Sequence, residues 1–199
     1  MLHYSNKYTD FKKPELFQNG LIFINLVVMI CKIFRPLFLI VFLLCSAGAF
    51  AQFKWVMIGV DGLTCSMCSK SVEMSIRKLD FVENVDMNLE HTEGKVTFKE
   101  GMKVDVEKIA HAVVNAGFSV RYLHAGFLFN NVAIGQGSCY PFEGQQFQFV
   151  KTEAKTLNGE TTLKFVGKKF QSGKEFRHWK EFLKPACNKS EGAVLYVTL

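Results

Sequence analysis

From residue 53 onward, hydrophobic and polar positions recur with periods that name the elements. Phe53, Trp55, Met57 and Gly59 alternate with Lys54, Val56, Ile58 and Val60. Apolar residues on both faces predict a strand in the middle of a sheet. After the stretch Gly62-Leu63-Thr64-Cys65-Ser66-Met67-Cys68, the residues Cys68, Val72, Ile76 and Leu79 recur at helical spacing. Lys70, Glu73, Arg77 and Lys78 occupy the other side. Val85, Met87 and Leu89 alternate with Asp86, Asn88 and Glu90 as a half-buried strand. His91-Thr92-Glu93-Gly94 reads as a hairpin turn, and Val96 and Phe98 lie on the returning strand. Asp105 is an N-cap candidate for a second helix, with Val106, Ile109, Ala110, Val113 and Val114 inward. Gly117 ends that helix, and residues 118–122 give a fourth strand. The order β-α-β-β-α-β predicts an α+β, ferredoxin-like arrangement: an antiparallel sheet with two helices on one face.

Beyond Tyr122 aromatic residues dominate, among them Phe127, Phe129, Tyr140, Phe142, Phe147, Phe149, Phe165, Phe170, Phe176, Trp179 and Phe182. Residues 147–150, 161–166 and 193–198 read as strands. Residues 172–183 read as one helix, stopped before Pro185. The expected organisation is a leader (1–51), a first domain (52–122) and a small β-rich domain with one helix (123–199), whose core the aromatic residues supply.

The leader contains two apolar runs, 21–31 and 36–51, separated by Lys32 and Arg35. Neither reaches the roughly 18–20 residues that span a bilayer. From Met29 the segment has the parts of a secretory signal: a basic start through Lys32 and Arg35, an apolar stretch at 37–44, and Ala49-Phe50-Ala51 before Gln52. On this reading residues 1–28 come from an upstream start, and the exported chain begins at Gln52 in the periplasm or outside the cell. The alternative is that residues 21–51 are retained as a membrane anchor of a transporter's accessory subunit.

Net charge is +6, but residues 53–120 carry 8 Lys/Arg against 10 Asp/Glu, and residues 121–199 carry 11 against 6. The surplus is dispersed through the C-terminal half as a solvated basic surface, so a nucleic-acid partner is not expected. No phosphate-binding glycine loop, nucleophile triad or carboxylate pair is present, and the expectation is a binding protein without catalytic residues. Of six cysteines, Cys31 and Cys45 fall in the leader.

Cys65 and Cys68, on a strand-to-helix turn, can turn both sulfurs toward one point, either to grip a soft metal ion or to form a redox pair. Two thiolates suit Cu(I). A closed structural zinc site needs four protein ligands, so two local ones leave this site open to ligand exchange. The start of the helix favours the thiolate form of Cys68. The strand–loop–helix order and Gly62-x-Thr64-Cys65-x-x-Cys68, with the strand end at Asn88–Leu89 and Ala116-Gly117-Phe118, resemble the heavy-metal-associated domain over residues 55–122. That module occurs in copper metallochaperones, copper-exporting ATPases and periplasmic mercury-binding proteins. The resemblance implies metal ligation by Cys65 and Cys68, a loop shaped by Gly62 and Thr64, and Phe118 beside it as a shield, unless Phe118 is simply core. Leu63 stands where the family commonly has Met, a volume-conserving exchange. Thr64 stands where zinc-selective members carry an acid, which favours Cu(I); Hg(II) and Zn(II) remain candidates. The implied partners are the metal ion and a metal-transporting membrane protein or another metal-binding protein.

The competing function is thiol–disulfide exchange. Thioredoxin-like sites resemble that family through an aromatic residue before the first cysteine and a facing cis-proline. Here Leu63-Thr64 precedes Cys65, and no proline lies between Pro36 and Pro141. Cys139 and Cys187 are expected to form a disulfide, which would stabilise by roughly 4 kcal/mol. The other reading has one or both join Cys65 and Cys68 in a larger site. His91, His111, His124 and His178 are read as solvated, and Met67 as exposed between the cysteines.

Overall fold

The computed structural model describes residues 52–188 and 192–199, so Cys31, Cys45 and the expectations for the leader lie outside the described residues. Residues Ala49–Leu199 fall in one compact unit. Its elements are β1 (Gln52–Asp61), α1 (Ser66–Arg77), β2 (Val82–Asn88), β3 (Glu93–Phe98), α2 (Val106–Asn115) and β4 (Ser119–Ile134). There follow β5 (Cys139–Phe142), β6 (Gln145–Phe149), β7 (Lys155–Val166), α3 (Gly173–Trp179), a 3₁₀ turn (Lys180–Phe182) and β8 (Ala193–Thr198).

The first six elements are the expected β-α-β-β-α-β unit, with β1 central between β3 and β4 in the order β2-β3-β1-β4. Val72 and Ile76 of α1 and Val106, Ile109, Ala110 and Val113 of α2 are buried. They pack in one core with Val56, Ile58 and Val60 of β1. Leu89 and Val114, expected inward, are 41% and 55% exposed. Leu89 falls just beyond the end of β2, and the last turn of α2 has already rotated Val114 off the inner stripe.

The strand expected at 118–122 continues as a 16-residue β4. The boundary expected between residues 122 and 123 therefore falls inside a strand. One edge of β4 pairs with β1 as far as Gln52↔Leu128, and the other pairs with β7 from Leu123↔Phe165 to Ile134↔Lys155. The remaining strands extend the same sheet, in the full order β2-β3-β1-β4-β7-β8-β6-β5. Nothing in the periodicity marks where a strand gains a second partner. The edge strand β5, four residues long, was not expected from the sequence.

A register shift between Phe53 and Trp55 decides how the two parts share a core. Simple alternation places Phe53 on the face of Trp55 and Met57. The bulge adds one residue and turns Phe53 to the other face. There its ring lies 5.1 Å from Phe127, 5.7 Å from Phe142 and 6.0 Å from Phe147, mostly edge-on. Strands far apart in the sheet order, β1 with β6 and β5, thus meet across one aromatic cluster, with Phe127, Phe129, Phe147, Phe149 and Phe165 almost wholly buried. Each such ring contributes its apolar area, and each edge-to-face pair about 0.5–1.5 kcal/mol more. Phe176, Trp179 and Phe182, also expected in the core, are not buried: α3 buries none of its residues. The helix expected over 172–183 is shorter, capped by the Ser172 hydroxyl and turning into the 3₁₀ segment after Trp179.

Candidate metal site

The loop begins where β1 ends. Gly62 has φ +87°, a left-handed conformation that side chains rarely adopt. Leu63 turns inward and is buried, which pins the loop to the core. Thr64 and Cys65 are exposed and Cys68 is half-buried. Cys65 is the N-cap of α1: its backbone is extended, and the Cys68 N–H donates to its sulfur at 3.2 Å. The spacing of the motif thus does two jobs. It puts Cys65 at the N-cap and Cys68 three residues on, where a free backbone N–H points back at the first sulfur. The capping role of Cys65 lies one turn ahead of the apolar stripe that starts at Cys68, and the short polar run before that stripe is its signal in the sequence.

The Cα atoms of Cys65 and Cys68 are 5.2 Å apart and their sulfurs are paired as a disulfide. Reduction would leave two sulfurs at one mouth, both within the first turn of α1. That turn contains no acidic residue, so the positive end of the helix dipole acts on the thiolates without competition. Farther along, Glu73 takes Arg77 at 2.7 Å and Lys70 at 3.1 Å. The hydrogen bond from Arg77, then that from Lys70, holds the Glu73 carboxyl below its ordinary range.

Two braces fix the loop from behind. The Thr92 carbonyl accepts the Val60 N–H at 2.9 Å, tying the end of β1 to the β2–β3 turn. Arg121 donates to the Thr92 hydroxyl at 2.8 Å and the His91 carbonyl at 2.7 Å, holding that turn in place. Phe118 arrives through the end of α2. Gly117, at φ +90°, donates to the Val114 carbonyl, and the Phe118 N–H reaches the Val113 carbonyl at 3.2 Å. This double bond is the Schellman close, and it needs a residue without a Cβ penalty at 117. The Phe118 ring then lies against Gly62, 3.7 Å from where a Cβ there would stand, while also packing on the core.

Met67 is 76% exposed beside the pair. Cys139 and Cys187 are bonded to each other, Cα atoms 5.7 Å apart, rather than gathered with Cys65 and Cys68. Among the described residues no group of three or more His, Cys, Asp or Glu converges as a metal site. His91, His111 and His178 are exposed. His124, read as solvated, is instead half-buried and stacked on Tyr122 with ring centres 4.6 Å apart. Among the described residues no helix is long and apolar enough to cross a membrane.

Residues 58–119 match the heavy-metal-associated domain. The chain is 38% identical over 72 residues to the mercuric transport protein periplasmic component of Pseudomonas fluorescens, covering 36% of this chain and 78% of that protein. It is 41% identical over 61 residues to the copper chaperone CopZ of Bacillus subtilis, covering 31% of this chain and 87% of that protein. Among solved structures, oxidized MerP from Ralstonia metallidurans CH34 is 33% identical and covers 35% of this chain and 94% of its own, with a TM-score of 0.32.

Proposed function

The chain belongs to the heavy-metal-associated domain family through residues 58–119, and on that premise we propose that Cys65 and Cys68 bind a soft metal ion reversibly and pass it on. The observation that carries this reading is the exposed N-cap geometry: two sulfurs at one mouth, one held by a backbone N–H, with no third His, Cys, Asp or Glu converging on them among the described residues. The ion is cargo. Relatives named for copper and for mercury put Cu(I) and Hg(II) first, and both accept two thiolates in near-linear coordination. Loading starts with reduction of the Cys65–Cys68 disulfide: two electrons and two protons arrive from a dithiol, which leaves as its own disulfide. Binding then releases the thiol protons, so affinity falls as pH falls. Delivery is ligand exchange, in which an incoming thiolate takes one coordination place before Cys65 or Cys68 leaves. Gly62, Thr64 and Phe118 shape and partly cover the mouth. The role is delivery, buffering or detoxification outside the cytoplasm, with a metal-transporting membrane protein or another metal-binding protein as partner.

The reduced full-length protein should bind about one Cu(I) in competition with a colorimetric chelator, and Cys65→Ser should abolish that binding. Full affinity in the Cys65→Ser/Cys68→Ser variant would defeat the reading. Because the pair is joined in the structure, thiol–disulfide exchange is the second reading. Steady turnover in an insulin-reduction assay, with no metal retained in competition, would favour it.

A further inference from the structure

The C-terminal strands build a second concave feature, remote in chemistry from the cysteines. It is a hollow of about 330 Å³ between the sheet face opposite α1 and α2 and the helix α3, lined by Arg121, Tyr122, His124, Lys164, Glu175 and Trp179 among others. Its size is within the range of small-molecule sites.

The floor is built for flat groups. Tyr122 pairs with Gly59 across β1–β4, and a Cβ at Gly59 would clash with the Tyr122 ring. The missing side chain lets that ring lie down on the sheet, with His124 stacked on it. The Tyr122 hydroxyl donates to the Glu93 carboxylate, which fixes the ring's direction. Trp179 lines the helix side, with the Lys151 ammonium 5.4 Å from the centre of its ring.

The charges select the sign of a ligand. Arg121 spends its hydrogen bonds on neutral acceptors, the Thr92 hydroxyl and the His91 and Thr92 carbonyls. Lys164 stands opposite His124 across β4–β7 and has no carboxylate partner among the described residues. Among the lining residues Glu175 is the one acid against the cations Arg121 and Lys164, while Glu93, outside the lining, accepts from the Tyr122 hydroxyl and keeps its negative charge.

We propose that this hollow binds a small flat organic anion, an aromatic carboxylate, with its ring on His124, which covers Tyr122, against Trp179 and its carboxylate toward Lys164 and Arg121. The site stands independently of metal binding by Cys65 and Cys68.

The test uses the full-length protein with benzoate as probe, followed by tryptophan fluorescence and by NMR of the Tyr122 and His124 rings. Benzoate should shift these signals saturably. Lys164→Glu should weaken binding about tenfold or more, the range of a lost charge-assisted contact. Lys164→Arg should keep binding, and Glu175→Gln should tighten it. Circular dichroism checks that each variant is folded. Three results would overturn the site: no saturable shift with benzoate, equal binding of benzyl alcohol, or an equal loss from the remote change Lys155→Glu.

Discussion

The two cysteine pairs make the most instructive contrast in the molecule. Cys65 and Cys68 are three residues apart, at the exposed start of a helix. Cys139 and Cys187 are 48 apart; one lies on the edge strand β5, and the other is buried and only 7% exposed. Cys187 is embedded in a network in which the Gln148 side-chain carbonyl accepts from the Ala186 N–H at 3.0 Å and its amide donates to the Lys184 carbonyl at 2.7 Å. The first pair closes almost no loop and touches solvent; the second ties a connecting segment to the end of the sheet. The same side chain is thus suited to cargo in one place and to architecture in the other, and burial with loop length separates the two.

Breaking that contrast gives the largest effect. Phe127 touches Phe53 of the first half and Phe142 and Phe147 of the second. Phe127→Ala should cost about 3–5 kcal/mol, and fluorescence and circular dichroism should report one coincident unfolding transition, because the sheet is shared. Separate transitions would show that the halves fold independently. Next, Cys139→Ala with Cys187→Ala should cost roughly 4 kcal/mol in denaturant unfolding, against about 2 kcal/mol for opening Cys65–Cys68. An equal loss from the two pairs would erase the distinction. Asp105, whose carboxylate accepts the Lys108 N–H at 3.1 Å, should cost about 1 kcal/mol on change to Ala.

The smallest effect is electrostatic. Burial, then the nearby Lys164, holds the His124 pKa below its ordinary value of 6.5. The unfolded chain therefore takes up a proton at this residue before the folded chain does. Stability should fall as pH drops below about 6.5 and stop falling below the folded-state pKa. His124→Gln should flatten that part of the pH–stability curve, and an unchanged slope would place the proton uptake elsewhere.

Much of the first half was legible because its signals are local. Val72 and Ile76 mark the inner stripe of α1, Asp105 caps α2, and Gly117 closes it, each within one or two turns of chain. Leu89 and Val114 were misplaced at element ends, where one residue of fraying or rotation moves a side chain from core to solvent. His124 looked like a surface residue because its burial comes from Tyr122 and from the C-terminal strand carrying Lys164. The half-buried aromatic residues of α3 looked like core because composition alone cannot tell a packed ring from one lining a hollow.

By itself, the sequence determined the order of the first six elements and the cysteine loop, since helical and strand periods, caps and the Cys65-x-x-Cys68 spacing act over a few residues. Tertiary structure alone decided that β4 runs through to Ile134, that a bulge turns Phe53 into the shared aromatic cluster, and that Tyr122 lies on Gly59. Those outcomes depend on pairings between residues far apart in the chain, whose energies enter only when the strands meet.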